Sequence, residues 1–237
     1  MTTPCKPHDN RLLAAIAAAD LDRLRPHLET VELELGRAIY EPGSELPFVY
    51  FPTTAIISIL HLTQSGGSAE TAVVGREGVV SMATYLGGGW TVGRAVVQIA
   101  GTSVRVPASV ILQDFERGRD VRRVLLRYTQ ALLTQMAQTA VCNRHHEVAQ
   151  QLCRWILTML DRVQTPEIPM THQLIADMLG VRREGITEAA RKLKHAGVIE
   201  YSRGRVRVLD RAGLEACACE CYRVVRSEYD RLLNGSA

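Results

Sequence analysis

A regular pattern of small, glycine and apolar residues between His172 and Arg191 constrains the fold more than any other feature of the chain. A helix-turn-helix needs a small residue where its helices cross, a glycine in the left-handed turn and apolar residues between the helices. Counted from His172 as the first position, the fifth is Ala176 and the ninth is Gly180. The fourth, eighth, tenth, fifteenth and eighteenth positions are Ile175, Leu179, Val181, Ile186 and Ala189. The sequence therefore predicts two helices that share an apolar core.

The second of these helices, from about Arg182, would present a polar face suited to the major groove of DNA. Two short strands around a basic tip follow between Gly197 and Val208, which is typical of a wing. Between Arg182 and Arg207, eight basic residues stand against three acidic ones, an excess that favours contact with phosphates. We therefore expect a winged helix-turn-helix that binds DNA; a winged helix that binds a protein is the alternative.

Short runs of Val, Ile, Thr and Tyr dominate from Val31 to about Pro107, separated by turn sequences such as Glu41-Pro42-Gly43. Strands at this spacing, with no long helix between them, predict an antiparallel, jelly-roll-like β-roll of about eight strands. An amphipathic helix over Asn10–His27 would precede it. The predicted class is α+β, with a sensor-like domain over 1–117, a dimerisation helix over 118–145 and a winged helix-turn-helix with a helical extension over 146–237.

Glycine nearly vanishes between Ala108 and Arg162, and apolar residues recur there at intervals of three and four. The stripe consists of Val121, Val124, Leu125, Tyr128, Leu132 and Met136. Such a stripe packs either on its own domain or on the same helix of a second subunit. We expect a homodimer, because a twofold-symmetric operator calls for paired reading helices. A second helix over about 146–163 leads into a proline-containing linker.

These elements resemble the Crp/Fnr superfamily of bacterial regulators over nearly the whole chain. The motifs that carry the resemblance are Tyr40-Glu41-Pro42-Gly43, Val49-Tyr50-Phe51-Pro52, Thr171-His172-Gln173-Leu174-Ile175-Ala176 and Leu179-Gly180-Val181-Arg182-Arg183-Glu184, of which the last two are the more specific. The resemblance implies a cyclic-nucleotide-binding-like β-roll, a dimer across the long helix, a palindromic operator and RNA polymerase as a partner.

The resemblance also implies that Arg183 and Glu184 read base edges, since arginine grips guanine and glutamate accepts from cytosine. A third family reader, usually arginine, is replaced here by Glu188, which puts the usual family operator in doubt. The expected DNA contacts are Thr171, Gln173, Arg182, Arg183, Glu184, Thr187, Glu188, Arg191, Arg203 and Arg205.

The family's nucleotide cassette resembles Gly78 to Ala95 in outline only. Where the family has a glutamate for ribose and an arginine and hydroxyl residue for the cyclic phosphate, this chain has Met82, Arg94 and Ala95. Methionine and alanine offer ribose and phosphate nothing comparable. We therefore expect an effector, if there is one, other than cyclic AMP. An arginine that is merely paired at the surface and a Gly87-Gly88-Gly89 segment that is only a loop remain the alternatives to an anion site.

The cysteines Cys217, Cys219 and Cys221 fall in one helix predicted over Asp210–Leu233. On one helix, residues four apart share a face and residues two apart do not, so these three would not converge on a metal. Buried or idle thiols are preferred over redox sensing and metal binding. For His145 and His146, a hinge or cap is preferred over ligation of metal or haem. The sequence thus predicts no metal site and no cofactor.

No segment resembles a secretion signal or a membrane span, and no catalytic motif is present in the sequence. We therefore expect a cytoplasmic, non-enzymatic transcription regulator that binds double-stranded DNA as a homodimer, without a membrane partner. An enzyme and a nucleotide-gated regulatory subunit of another protein are the alternatives.

Overall fold

The structure is a computed structural model that describes residues 7–163, 165–202 and 204–234. It divides into two compact units, and the long central helix runs from the first into the second. Among the described residues, the first unit holds 7–59, Val73–Leu133 and 229–234, and the second holds Leu60–Ala72 and the described part of Thr134–Glu228.

Seven strands of the first part of the described chain form two sheets. They are β1 (Glu29–Leu33), β2 (Ala38–Tyr40), β3 (Phe48–Pro52), β4 (Ile56–Leu62), β5 (Ser68–Val74), β6 (Arg94–Ile99) and β7 (Gly101–Pro107). One sheet has the order β1-β7-β3 and the other β2-β6-β4-β5. The predicted antiparallel β architecture is confirmed. The described residues of this region form seven strands where about eight were predicted, and Val80 adds an isolated bridge to Tyr50.

Cross-strand apolar pairs hold the first sheet on its buried side. Val49 of β3 lies opposite Val106 of β7, and Phe51 lies opposite Val104, all four at most 1% exposed. Burial of such facing pairs is what stabilises an antiparallel ladder.

The predicted N-terminal helix is broken in two, into α1 (Arg11–Ala15) and α2 (Ala18–Leu24). Asn10 caps α1 by accepting hydrogen bonds from the backbone N–H groups of Leu12 and Leu13. The helix stops because the N–H of Ala17 donates to Asp120 Oδ2 at 2.8 Å instead of continuing the helical ladder.

The long apolar region contains two helices, α3 (Ala108–Arg117) and α4 (Arg119–His145), separated by Gly118 at φ +83°. The predicted dimerisation stripe is wrong for most of its length. Its members Val121, Val124, Leu125, Tyr128 and Leu132 are at most 5% exposed within the single chain. Tyr128, for example, packs so closely on Gly78 that a Cβ there would lie 2.7 Å from its ring. This stripe therefore serves the chain's own packing.

The second unit contains a further set of helices and a small sheet. They are α5 (Val148–Leu160), β8 (Glu167–Ile168), α6 (His172–Leu179), α7 (Arg183–His195), β9 (Ile199–Ser202), β10 (Arg205–Val208), α8 (Arg211–Cys217) and α9 (Cys221–Tyr229). The residues predicted to be a linker supply an edge strand, because Ile168 of β8 pairs with Val206 of β10. The part of the β4–β5 hairpin nearest its turn, Leu60–Ala72, belongs to this unit, where buried Glu70 accepts a 3.0 Å hydrogen bond from the indole of Trp155.

The predicted single helix over Asp210–Leu233 is wrong, because the chain is extended at Ala218 between α8 and α9. The break changes which cysteines share a side. Cys219 and Cys221 are both buried, whereas Cys217 is exposed.

No helix within the described parts of the chain combines the length and the apolar composition needed to cross a bilayer.

Candidate DNA-binding surface

The helix-turn-helix is built by local interactions that the sequence pattern requires. Thr171 Oγ1 accepts a 3.2 Å hydrogen bond from the N–H of Leu174 and so caps the start of α6. Gly180 turns the chain at φ +66°, a backbone conformation that favours glycine. Of the predicted apolar set, Val181 is half-buried and the others are buried, namely Ile175, Ala176, Leu179, Ile186 and Ala189. The predicted helix-turn-helix is confirmed.

One exposed face of α7 gathers five of the ten predicted DNA-contact residues. The side chains that line a shallow, open depression there are Arg183, Glu184, Thr187, Glu188 and Arg191. Arg182 stands exposed at the residue before α7. The spacing of one, four, five and eight residues from Arg183 places them on one side of a helix.

The hydroxyl of Thr187 already has hydrogen-bond partners within the domain. Its hydroxyl donates to the carbonyl of Arg183 at 3.0 Å, and its oxygen lies 3.1 Å from Nδ1 of His172. The His172 ring also stacks on Tyr201 of β9. Burial, and then the positive charge of Arg183, lower the pKa of His172, so the ring is neutral at neutral pH. His172 thus joins α6 to both α7 and β9, a role that sequence reasoning missed.

Glu188, at the position of the third family reader, is paired with Lys192 one turn later. Their Oε1 and Nζ atoms lie 3.1 Å apart, and this hydrogen bond and the charge of Lys192 lower the pKa of Glu188. Both side chains are well exposed. The sequence analysis did not predict this ion pair. Its signal in the sequence is a glutamate four residues before a lysine on a helix.

Two expected contacts at the start of α6 also have partners inside the domain. Thr171 uses its oxygen as the helix cap, which leaves its hydroxyl hydrogen for an external acceptor. Gln173 donates to Asp177 Oδ1 at 2.8 Å, which leaves its amide oxygen.

The wing places basic side chains in solvent beside the helix-turn-helix. Arg205 of β10 is exposed, with Nη1 3.7 Å from Glu167 Oε2 on β8. Gly204 turns at φ +74°, and a Cβ there would lie 3.5 Å from the Thr171 methyl, so the wing tip adjoins the start of α6. Arg203, another expected contact, lies outside the described residues.

The three candidate effector residues do not offer a set of polar groups that could bind a nucleotide. Met82 is half-buried in a short 3-10 turn, Met82–Thr84. Nε of Arg94 lies 3.0 Å from Glu41 Oε1 in an ion pair. Ala95 is fully buried and lies opposite Tyr40 between β6 and β2. These positions favour the alternative in which Arg94 is a paired surface residue.

The Gly87-Gly88-Gly89 segment likewise behaves as an ordinary loop. The N–H groups of Gly88 and Gly89 both point to the carbonyl of Ala83, at 3.0 and 3.3 Å. Backbone amides that are bonded within the loop do not form a phosphate-binding nest.

Comparison with protein families agrees with this geometry. Residues 150–217, from α5 to the end of α8, match the Crp-like helix-turn-helix domain. The chain therefore carries a Crp-like helix-turn-helix domain. The Crp-like domain contains α6, α7 and both wing strands, and so includes every described residue of the expected DNA-contact set. The predicted resemblance is confirmed.

Solved structures share the fold across most of the chain. A transcriptional regulator assigned to the Crp/Fnr family from Eubacterium rectale has a TM-score of 0.70 at 16% identity, covering 89% of this chain and 98% of its own. FixK2 from Bradyrhizobium japonicum has a TM-score of 0.70 at 18% identity, covering 81% and 98%. The c-di-GMP-responsive regulator CLP of Xanthomonas campestris has a TM-score of 0.64 at 14% identity, covering 81% and 99%. At these identities the likeness establishes the fold alone. No curated protein matches the chain in sequence.

Proposed function

We propose that this protein is a sequence-specific DNA-binding transcription regulator that reads a palindromic operator as a homodimer. The observation that carries the proposal is the exposed polar face of α7, which is the second helix of a Crp-like helix-turn-helix. The proposal places the protein in the cytoplasm, on promoter DNA, with RNA polymerase as a further partner.

The residues of α7 divide into readers and positioning groups. Arg183 and Glu184 lie in the first turn, where a helix that enters the major groove meets base edges. Arg183 offers two donors to guanine, and Glu184 accepts from the amino group of cytosine. Arg191 lies about 12 Å further along the helix axis, at about 1.5 Å per residue, and faces the phosphate backbone.

A direct base contact by Glu188 is less favourable than one by the arginine of the family pattern, because the Glu188 carboxylate is already paired with Lys192. The pair nearly cancels its own charge. The operator of this protein therefore differs from the usual family operator at the base pair that the third reader would contact.

The homodimer is supported by a second apolar stripe on α4, which the chain itself leaves uncovered. Leu126, Leu133 and Val141 are 45%, 49% and 45% exposed. Leu126, Leu133 and Ala140 repeat every seven residues, and Ala137 is exposed between the last two. A heptad repeat of this kind is the seam by which one helix packs on its copy. We therefore assign dimerisation to this second stripe.

An effector, if the protein has one, is not cyclic AMP in this proposal. Arg94 is paired with Glu41, and the neighbouring Ala95 has no hydroxyl and is buried. A cyclic phosphate at this place would have to displace the glutamate and would gain only one cationic partner.

Selection of DNA from a random pool with the full-length protein tests the proposal. We expect enrichment of an inverted repeat whose half-sites lie about one helical turn apart, because twofold-related reading helices contact successive turns of the major groove. Enrichment of no motif would contradict sequence-specific binding. Enrichment of a single, unpaired half-site would contradict the dimer.

A further inference from the structure

Four side chains with metal-binding atoms converge in the second unit, and none of them lines the exposed face of α7. Cys142 lies near the end of α4, His146 lies between α4 and α5, and Cys219 and Cys221 lie at the break between α8 and α9. Their ligand atoms all lie within 4.8 Å of one another. The three thiols are buried and the histidine is half-buried.

Two distances within this cluster are close to those of a tetrahedral site for a single ion, and no two ligand atoms are more than 4.8 Å apart. The Sγ atoms of Cys142 and Cys219 are 3.5 Å apart, and Cys221 Sγ is 3.6 Å from His146 Nδ1. For zinc, with bonds of about 2.3 Å to sulfur and about 2.0 Å to nitrogen, a regular tetrahedron gives about 3.8 Å between sulfurs and about 3.5 Å between sulfur and nitrogen. We propose that Cys142, His146, Cys219 and Cys221 bind one zinc ion.

The surroundings of the cluster suit a metal more than a set of idle thiols. Nε2 of His146 lies 3.3 Å from Glu220 Oε1. A carboxylate at one ring nitrogen fixes the orientation and the tautomer of the ring, which leaves the other nitrogen, Nδ1, as the metal ligand. This Nδ1 is the atom that faces Cys221.

The charge of the site is balanced from inside the protein. A zinc ion with three thiolates and a neutral histidine carries a net charge of −1, and a buried charge needs a partner. Arg154 of α5 is 7% exposed and its positive charge acts on both Cys142 and Cys221. Its Nε is buried without a hydrogen-bond partner among the described residues. Arg154 therefore supplies the compensating charge.

The ligand set defines a structural zinc site. Four protein ligands close a tetrahedron and leave no position for water or substrate. The ion would join the α4–α5 junction to the α8–α9 break, two segments that are 77 residues apart between Cys142 and Cys219. The site would hold the C-terminal extension against the helices that precede the DNA-binding domain. It is independent of how α7 reads DNA, so either proposal can fail without the other.

Metal analysis of the full-length, tag-free protein, purified without chelator, is the first test. We expect about one zinc per chain by elemental mass spectrometry and native mass spectrometry. Cys219→Ser and His146→Ala should lose it. Two matched controls, Cys217→Ser and His145→Ala, remove exposed residues of the same type one or two positions away and should retain it.

Cobalt binding gives a readout that does not depend on whether a variant folds. Wild-type protein, reduced and stripped of metal, should take up one Co²⁺ with the visible absorption of tetrahedral thiolate coordination, and Zn²⁺ should displace it. Absence of zinc together with absence of this spectrum would overturn the proposal. So would equal metal loss in the control variants, or a Cys142–Cys219 disulfide in the purified protein.

Discussion

The ring of His172 stacks on the ring of Tyr201, with centroids 4.0 Å apart and planes 25° apart. His172 is the first residue of α6, and Tyr201 lies on wing strand β9. Nδ1 of the same histidine meets Thr187 on α7. One side chain therefore connects the three elements from which the candidate DNA-binding surface is built.

Removal of this stack should weaken DNA binding without removing any contact to DNA. We expect His172→Ala to lower operator affinity about five-fold, since an aromatic pair contributes about 0.5–1.5 kcal/mol. Fluorescence anisotropy with the selected operator measures the effect. His195→Ala, at the exposed end of α7, is the matched control and should bind as the wild type does. Equal affinity of His172→Ala and wild type would show that the stack does not position the reading helix.

Substitution of His172 should also make the stability of the protein less sensitive to acid. The pKa of folded His172 is lowered, so the unfolded chain binds the proton more tightly. The contribution to stability is therefore complete above the ordinary histidine pKa of about 6.5 and is lost as pH falls through the lower folded-state value. Urea unfolding at pH 7.5 and pH 5 should show a smaller acid-induced loss for His172→Phe than for wild type. An identical loss in both proteins would show that protonation of His172 does not contribute to the acid-induced loss of stability.

The two apolar stripes of α4 predict opposite outcomes for neighbouring leucines. Leu133→Glu, on the exposed stripe, should give a folded monomer in analytical ultracentrifugation, because a charge at a heptad seam disfavours the dimer. Leu132→Ala, at 0% exposure, should instead lower stability by about 2–5 kcal/mol. A dimer of unchanged affinity in Leu133→Glu would exclude the exposed stripe as the interface.

Cyclic AMP should not bind at the β domain. Isothermal titration calorimetry is expected to show no binding in the micromolar range, since Arg94 is held by Glu41 and Ala95 lacks a hydroxyl. Micromolar affinity that is lost on Arg94→Ala, with a control such as Arg76→Ala unaffected, would show that Arg94 binds the cyclic phosphate as the family arginine does.

The helix-turn-helix could be predicted from sequence because its requirements are local. Gly180 must adopt a positive φ and Ala176 must be small whatever surrounds them, so the residue types alone fix the motif. The side of α4 that we propose as the dimer interface could not be predicted in the same way. Periodicity shows that a stripe is apolar, but whether its own β domain covers it depends on contacts such as Tyr128 with Gly78, which are distant in sequence.

The cysteine cluster was missed for a related reason. The segment Ala218-Cys219-Glu220 contains neither glycine nor proline, so nothing in the sequence marks the helix break there. A continuous helix would have turned Cys219 and Cys221 apart, whereas the break buries both. Cys142 and His146 come from a remote segment, and only the folded chain brings them to the other two.

In the proposed function, α7 reads bases while the wing positions the protein on phosphates. Anisotropy with operator and random DNA over a range of salt concentrations separates these two roles when Arg183→Ala is compared with Arg205→Ala. Arg183→Ala should cost about 1–3 kcal/mol on the operator and much less on random DNA. Arg205→Ala should weaken both DNAs alike and reduce the slope of log affinity against log salt by about one unit. Equal losses on both DNAs for Arg183→Ala, with a loss confined to the operator for Arg205→Ala, would show that the wing reads bases and that α7 does not.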